Sequence, residues 1–391
     1  MDNFPPPLRG TDTGSFVEHT VRSRWAGIAQ RVIDENDYPD AVNERLQALI
    51  DELPEAAIRP LDDPGAPDAT LWDEWLAPHV GQSWLEIPWF VGETYFYRRI
   101  IAATGYFQPG PTEGDDPFMR QKQKAFAQAM DATQQLCASL HESPDRQDVK
   151  QALQGALWGN QADLSMWAAE EESPDHLGTG DEEAHLLADD TDAALDALDA
   201  PARVDVIGDN AGFELIADLV LIDRLLASGM AGTIVVHLKA HPTFVSDTLI
   251  ADVHATLGVL ADDEVEGVRA LAERCRAYQA RGRLQWRDSF IWTSPLRFRA
   301  FPKLVMADLA QADLVISKGD ANYRRLLGDR HWPPTTPFET VVDYFPTSLL
   351  ALRTCKAEVI AGLAEEQVEA LNAQDPDWLV SGEWGVMQYV P

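Results

Sequence analysis

Apolar positions recur at three- and four-residue spacing through the first part of the chain and change to short solid runs in the second half. Between residues 14 and 60, Phe16, Val17, Val21, Trp25, Ile28 and Val32 mark a helical face, and Ser15 stands where an N-cap belongs. A Pro-, Gly- and Asp-rich break covers residues 60–69. A second helical stretch carries Trp89, Phe90, Val91, Tyr95, Phe96, Ile100 and Ile101. After a loop over residues 109–116, helices resume to about Leu157. Residues 170–199 are strongly acidic, and their Ser-Pro and Gly-Thr-Gly pieces predict an exposed loop running into a short helix with Leu186, Leu187, Leu195 and Leu198.

From residue 203 the pattern becomes strand, helix, strand. Val204 to Ile207 predicts a buried strand, Glu214 to Ser228 a helix closed by Gly229 and Gly232, and Thr233 to Leu238 a β-branched parallel strand. Helices are expected near 247–258 and 264–281, a third strand at 313–317 and a fourth at 348–352. Such alternation implies an α/β fold, a three-layer α/β/α Rossmann-like parallel sheet with an N-terminal helical domain. The expected divisions are a helical domain at 1–170, an acidic linker at 171–202 and an α/β domain at 203–391.

Composition narrows the function classes. The 391 residues have an ordinary 45% hydrophobic share but a net charge of -33, which disfavours nucleic-acid and anionic-membrane partners because phosphate surfaces need cationic stripes. An acidic, Lys-poor surface suits a salty cytoplasm, and a GC-rich genome gives the same bias. No run of about 18 apolar residues predicts a membrane span, and the polar, Pro-rich start has no signal-like apolar core. Three widely spaced cysteines, Cys137, Cys275 and Cys355, give no disulfide framework or metal-ligand spacing and fit a reducing cytoplasm. Where Lys is scarce, Lys318 and Lys356 stand out.

Four polar clusters follow apolar runs, which in an open α/β sheet places them at the ligand-binding edge. The first is Gly208-Asp209-Asn210-Ala211-Gly212-Phe213-Glu214. Its adjacent carboxylate and carboxamide offer hard oxygen ligands suited to Mg²⁺ or Mn²⁺, although either residue would also cap the next helix. The second is Asp247, which with Asp209 and Asn210 makes an open oxygen site; it too stands where an N-cap would. The nearby His237 and His241 are spaced for a helix rather than a strand and its loop, so zinc is not expected there. The third is Ser317-Lys318-Gly319-Asp320-Ala321-Asn322-Tyr323-Arg324, where Lys318 and Arg324 flank a turn with phosphate-binding chemistry and Asp320 is placed to orient water or move a proton. The fourth is Arg353-Thr354-Cys355-Lys356, in which Lys356 adds a cation and Cys355, with no His nearby in sequence, reads as a bystander thiol. Two earlier segments, Leu157 to Ser165 with Asn160, and Glu93 to Arg99, either cover the crevice or form an interface.

These clusters together resemble the damage-control phosphatase family, specifically its subfamily III, which is marked by Arg-Thr-x-Lys. The matching residues are Arg353 to Lys356, Asp209 to Glu214, Lys318 to Arg324, Trp158 to Ser165 and Tyr95 to Arg99, so the resemblance spans nearly the whole chain. It implies a divalent metal, Mn²⁺ first and Ni²⁺, Co²⁺ or Mg²⁺ as alternatives, held by Asp209, Asn210 and Asp247. It implies substrate contacts from Asp320 through Asn322, Tyr323 and Arg324 and at Lys356, and hydrolysis of small phosphometabolites such as fructose 1-phosphate or fructose 6-phosphate. Lys318, Glu214 and Asn160 join the expected substrate-binding set; Asp320, Asp209 and Asn210 are the expected catalytic residues. Members are also described as S-adenosylmethionine-dependent protein-glutamate carboxyl methyltransferases, which would give Glu214 and Asp247 a methyl-donor role. The Gly-x-Gly-x-Gly loop common to methyltransferases is missing after the first strand, which disfavours that reading. The expectation is therefore a cytoplasmic, metal-dependent phosphatase of sugar phosphates, with the methyltransferase and a non-catalytic phosphosugar-binding protein as alternatives.

Overall fold

A computed structural model describes residues 4–141, 143–159, 184–198 and 200–391. Seven strands form one sheet: β1 (Leu186–Asp189), β2 (Ala202–Ile207), β3 (Ala231–Lys239), β4 (Leu284–Ser289), β5 (Leu314–Lys318), β6 (Leu349–Thr354) and β7 (Gly385–Val390), in the spatial order β1-β7-β6-β5-β2-β3-β4. Every neighbouring pair is parallel except β6 and β7, so the sheet departs from the expected parallel pattern at one ladder.

The helices before the sheet are α1 (Phe16–His19), α2 (Trp25–Glu35), α3 (Asp40–Glu52), α4 (Ala69–Leu76), α5 (Trp89–Thr104), α6 (Met119–Gln128), α7 (Met130–Ala138) and α8 (Arg146–Trp158). Those among the strands are α9 (Thr191–Asp196), α10 (Phe213–Ala227), α11 (Ile250–Ala261), α12 (Glu266–Ala280), α13 (Lys303–Leu309), α14 (Asp320–Leu327), α15 (Phe338–Val341) and α16 (Glu365–Gln374). No helix among the described residues is long and apolar enough to cross a membrane. Within the stretch expected to run as an acidic loop into one short helix, Leu186–Asp189 instead forms the edge strand β1, followed by α9.

Strand alternation sorts the core into two layers. Val204, Val206, Leu314, Ile316, Leu350 and Leu352 face one apolar cluster with α8, α10, α11 and α12. Ile207, Val315, Leu349 and Ala351 face the other, shared with Val17, Trp25, Trp72 and Phe96 of the N-terminal helices. Trp25 is fully buried and stacks on Phe96 with centroids 5.3 Å apart. Burying a side chain of that size contributes stability on the order of 3–5 kcal/mol, by the usual cost of truncating it to Ala.

The order of the strands locates the site. From β2 the chain runs outward to β3 and β4, then returns to the opposite side of β2 to lay down β5 and β6. The carboxyl ends of β2 and β5 therefore flank a topological switch point, where doubly wound sheets leave a crevice.

Candidate metal and phosphate site

The crevice is built by four chain segments that leave strands on the same edge. Asp209 and Asn210 follow β2, Asp247 lies in the loop between β3 and α11, Asp320 opens α14 after β5, and Lys356 follows β6. The first two segments are laced together: Thr248 N–H donates to the Asp209 carbonyl and Ala211 N–H to the Ser246 carbonyl, each at 2.8 Å, while Asn210 and Asp247 pair as an antiparallel bridge. Phe244 and Val245, just before Asp247, have φ of 48° and 68°. A β-branched residue in the left-handed region stores strain, and such residues cluster where a backbone must aim a functional group.

A cleft of about 460 Å³, open solvent included, is lined by Asp209, Asn210, Asp247, Asp320, Arg324 and Lys356 together with Phe16, Arg24, Trp89, Glu93, Phe244 and Ala321. Six residues singled out in the sequence for metal, phosphate or proton chemistry therefore share one cavity. Glu93 joins them from the segment that was expected either to cover the crevice or to form an interface. Arg98 and Arg99 of that segment turn elsewhere: Arg98 pairs with Asp63 and Asp68, and Arg99 with Glu52. Arg24, Phe16, Trp89 and Phe244 were not anticipated. The strand-end rule cannot find the first three, because they come from the N-terminal helices.

Four of the expected substrate-binding residues stand differently. Lys318, 1% exposed, lies beneath the cleft, with Nζ donating to Glu214 Oε1 at 2.9 Å and to Asp218. Burial pushes the Asp218 carboxyl up to about 7 against the pull of Lys318. Glu214 is also buried; its Oε2 accepts from Asn210 Nδ2 at 2.8 Å. Asn322 Nδ2 donates to the Lys318 carbonyl at 2.7 Å and Tyr323 Oη to Gln388 Oε1 at 2.8 Å, so both brace α14 against the sheet and neither is among the cleft-lining residues. Asn160 lies outside the described residues, as does the boundary expected at 170.

Arg324 does line the cleft, but most of its donors are shared. Its Nη1 donates to Glu93 at 2.6 Å and its Nε to Asp329 at 2.8 Å, and the guanidinium lies 3.5 Å over the Trp89 ring. Asp320 accepts from Arg353 Nε at 2.8 Å, and Arg353 is itself pinned to the Val359 and Ala357 carbonyls. Arg353 therefore acts as a brace that aims Asp320. Cys355 is fully buried and burial pushes its thiol up to about 11, which leaves it protonated and a poor nucleophile.

No group of three or more His, Cys, Asp or Glu side chains among the described residues is arranged to hold a metal. His237 pairs with Asp205 at 2.9 Å and His241 with the Pro242 carbonyl, so the two do not converge. The remaining donor set is two carboxylates and one carboxamide. Asn210 Nδ2 faces Asp209 Oδ2 at 3.0 Å as well as Glu214, which fixes the amide, and Ser246 Oγ donates to its Oδ1 at 2.7 Å. One Asp247 oxygen meets Lys239 Nζ at 2.8 Å. Three hard oxygen donors beside an open cleft fit a cation that keeps water or substrate oxygens in its shell, as Mg²⁺ and Mn²⁺ do.

Residues 20–371 match the damage-control phosphatase ARMT1-like domain. The chain belongs to this family. Two relatives within it are the damage-control phosphatases ARMT1 of Rattus norvegicus, 32% identical with 100% of this chain and 99% of that protein covered, and of Danio rerio, 33% identical with 98% and 97% covered. A DUF89 family protein of Pyrococcus horikoshii superposes with a TM-score of 0.49 at 14% identity, over 93% of this chain and 95% of that one.

Proposed function

We propose that this chain is a metal-dependent phosphomonoesterase that hydrolyses small phosphorylated metabolites, with fructose 1-phosphate and fructose 6-phosphate as the first substrates to try. The observation that carries the reading is the meeting of three oxygen donors, Asp209, Asn210 and Asp247, with Arg24, Arg324 and Lys356 in one cleft at the switch point of the sheet. Family membership supports a phosphatase independently.

A divalent ion held by Asp209, Asn210 and Asp247, Mn²⁺ by preference, would supply Lewis acidity toward a phosphoryl oxygen. The chain's own residues do the rest. Lys356 and the arginines offset phosphate charge as it develops. Asp320, held by Arg353 at the cleft wall, is placed to accept a proton from water. Trp89 and Phe244 give the cleft apolar surface that limits water and strengthens each charge interaction. Three free, buried cysteines fit our assignment of the protein to a reducing cytoplasm.

The test measures phosphate release from a panel of sugar phosphates with Mn²⁺, Co²⁺, Ni²⁺, Mg²⁺ or none, beside transfer of labelled methyl from S-adenosylmethionine. Release that needs metal and is lost in a folded Asp209→Ala protein is the expected result. Methyl transfer dependent on Glu214, with no phosphate released from any substrate, would overturn the reading.

A further inference from the structure

A second cavity, of about 260 Å³ with open solvent included, lies at the far end of α14 and shares no lining residue with the cleft. It is smaller than the roughly 300 Å³ at which pockets for drug-sized ligands begin, so it suits a small ion or a single charged group. Arg297, Arg299 and Arg330 line it, and among the described residues no carboxylate does. In a chain with 64 acidic residues against 31 basic ones, that lining runs against the charge of the whole. The cleft, by contrast, holds four carboxylates beside its three cations.

The backbone brings the arginines together. Gly328 ends α14 with φ 72°, and a Cβ there would stand 3.4 Å from Arg330 Nε and 3.5 Å from Arg297 Cδ, so the two side chains converge on one point. Residues 5–8 run antiparallel along residues 329–331: Pro7 and Arg330 form a bridge, Leu8 N–H donates to the Asp329 carbonyl at 3.0 Å, and His331 N–H donates to the Pro6 carbonyl at 3.1 Å. That ladder carries Phe4 to the cavity, where its ring meets Arg299 at 5.1 Å and Arg330 at 5.4 Å. Tyr344 meets Arg299 at 4.3 Å, and its hydroxyl is anchored on the Leu326 carbonyl at 2.7 Å. A guanidinium stacked on a ring keeps its in-plane N–H groups for other partners.

The positive charge is only partly answered within the protein. Arg299 pairs with Asp343. Arg330 donates to the Pro5 carbonyl, a neutral acceptor, and the adjacent Asp329 is committed to Arg324 and to the Phe90 N–H. Arg297 makes no hydrogen bond or ion pair among the described residues. Burial first, and then the charge of Arg297, hold the Arg330 guanidinium below its ordinary value, with Asp329 pulling the other way. Two like charges held together at a half-buried site cost stability that an anion between them restores.

We propose that Arg297 and Arg330, with Arg299 at the rim, form a second anion site that takes a phosphate dianion, free or as the phosphate group of a small metabolite, away from the reacting centre. Two cations without a carboxylate of their own match a dianion. Guanidinium forks arriving from two chain segments suit a tetrahedral oxyanion, whereas one fork satisfies a flat carboxylate. This site stands whether or not the cleft is a phosphatase.

The test titrates inorganic phosphate calorimetrically, at low ionic strength where screening is weakest, into wild type, Arg297→Gln, Arg330→Gln and Lys356→Ala with Mg²⁺ present. Methylphosphonate, which is not hydrolysed, stands in for an esterified phosphate group: binding of both probes assigns the site to phosphorylated metabolites, and binding of phosphate alone to the free ion. Arg297→Gln and Arg330→Gln should each weaken one class of phosphate site by about 10-fold, the loss of one charge-assisted contact, and leave turnover in phosphate-free buffer unchanged. Lys356→Ala should leave that class intact. Without phosphate, Arg297→Gln should melt at or above the wild-type temperature, because a like-charge contact is gone, and phosphate should then raise wild type by more than the variant. A purely structural arginine would lower the midpoint with or without phosphate. Wild-type phosphate affinity in both folded glutamine variants, or loss of all phosphate binding in Lys356→Ala, overturns the second site. Phosphate binding that needs Arg297 and ignores Lys356, in a protein that hydrolyses nothing, would uphold the site and sink the phosphatase reading.

Discussion

Replacing Gly319 with Ala is the sharpest probe of the Asp209 assignment. Gly319 has φ 85° and ψ 169°, a region that side chains other than hydrogen avoid, so the backbone alone carries a cost on the order of 1–3 kcal/mol. A Cβ built there would stand 1.8 Å from Asp209 Oδ2 and 2.2 Å from its Cγ. No packing tolerates that overlap, and the lighter obstacle is the end of a side chain. The carboxylate therefore has to swing away by well over an ångström. A displacement near 1 Å at a reacting centre can lower a rate about 100-fold. The expected outcome is a folded protein whose unfolding free energy in urea drops by about 1–3 kcal/mol, with Mn²⁺ affinity and turnover down by about 100-fold or more. Gly328→Ala is the control. Its φ of 72° carries a backbone cost of about 1–2 kcal/mol, but its nearest neighbours are Arg330 and Arg297, outside the cleft. It should lose stability and keep metal binding. Wild-type metal affinity and turnover in Gly319→Ala would refute Asp209 as a ligand, since the side chain cannot stay where it is.

Two further perturbations follow from buried charge. Lys318→Met strands Glu214 and Asp218 without their cation and should cost about 3–5 kcal/mol in chemical denaturation; adding Asp218→Asn should recover part of that, and a single variant as stable as wild type would disprove the pairing. His241 is buried beside Arg98 and Asp68, and burial first, then Arg98, pushes its imidazole down to about 4 from an ordinary value near 6.5. The unfolded chain thus binds a proton that the folded one does not between those values. Its contribution to stability is full above about pH 6.5 and is lost as pH falls toward about 4. His241→Gln should flatten that part of the stability profile, and an unchanged slope between pH 6.5 and 4 would show that His241 charges in the folded state.

The sheet was legible where strands are buried on both faces and obscure where they are not. Val204–Ile207 and Thr233–Leu238 are mostly apolar and β-branched because β2 and β3 lie inside the sheet, and the two polar residues that interrupt them, Asp205 and His237, are buried and pair with each other at 2.9 Å. β4 and β1 are the two edges, and their sequences mix in Arg287, Asp288 and Asp189, which carry no buried-strand signal. β7 runs antiparallel to β6 and contains Gln388, whose buried amide is satisfied by Tyr323 and the Ala361 carbonyl.

The same physics separates the site residues that were legible from those that were not. Asp209, Asn210, Asp247, Asp320 and Lys356 all follow strand ends, and the parallel sheet delivers every one of them to the same cleft. Lys318 also stands at a strand end, yet the pleat puts it in phase with Leu314 and Ile316, on the face that α10 covers with Glu214 and Asp218. Spacing within β5 therefore decides that Lys318 turns down while Asp320, two residues later and beyond the left-handed glycine, stays at the cleft wall. Arg24 and Glu93 meet these strand ends from more than a hundred residues away, Arg24 at the end of a π-helical turn and Glu93 within α5. Local patterns report which residues end strands. Only the packing of the N-terminal helices against the sheet reports which side chains from the first hundred residues come to face them.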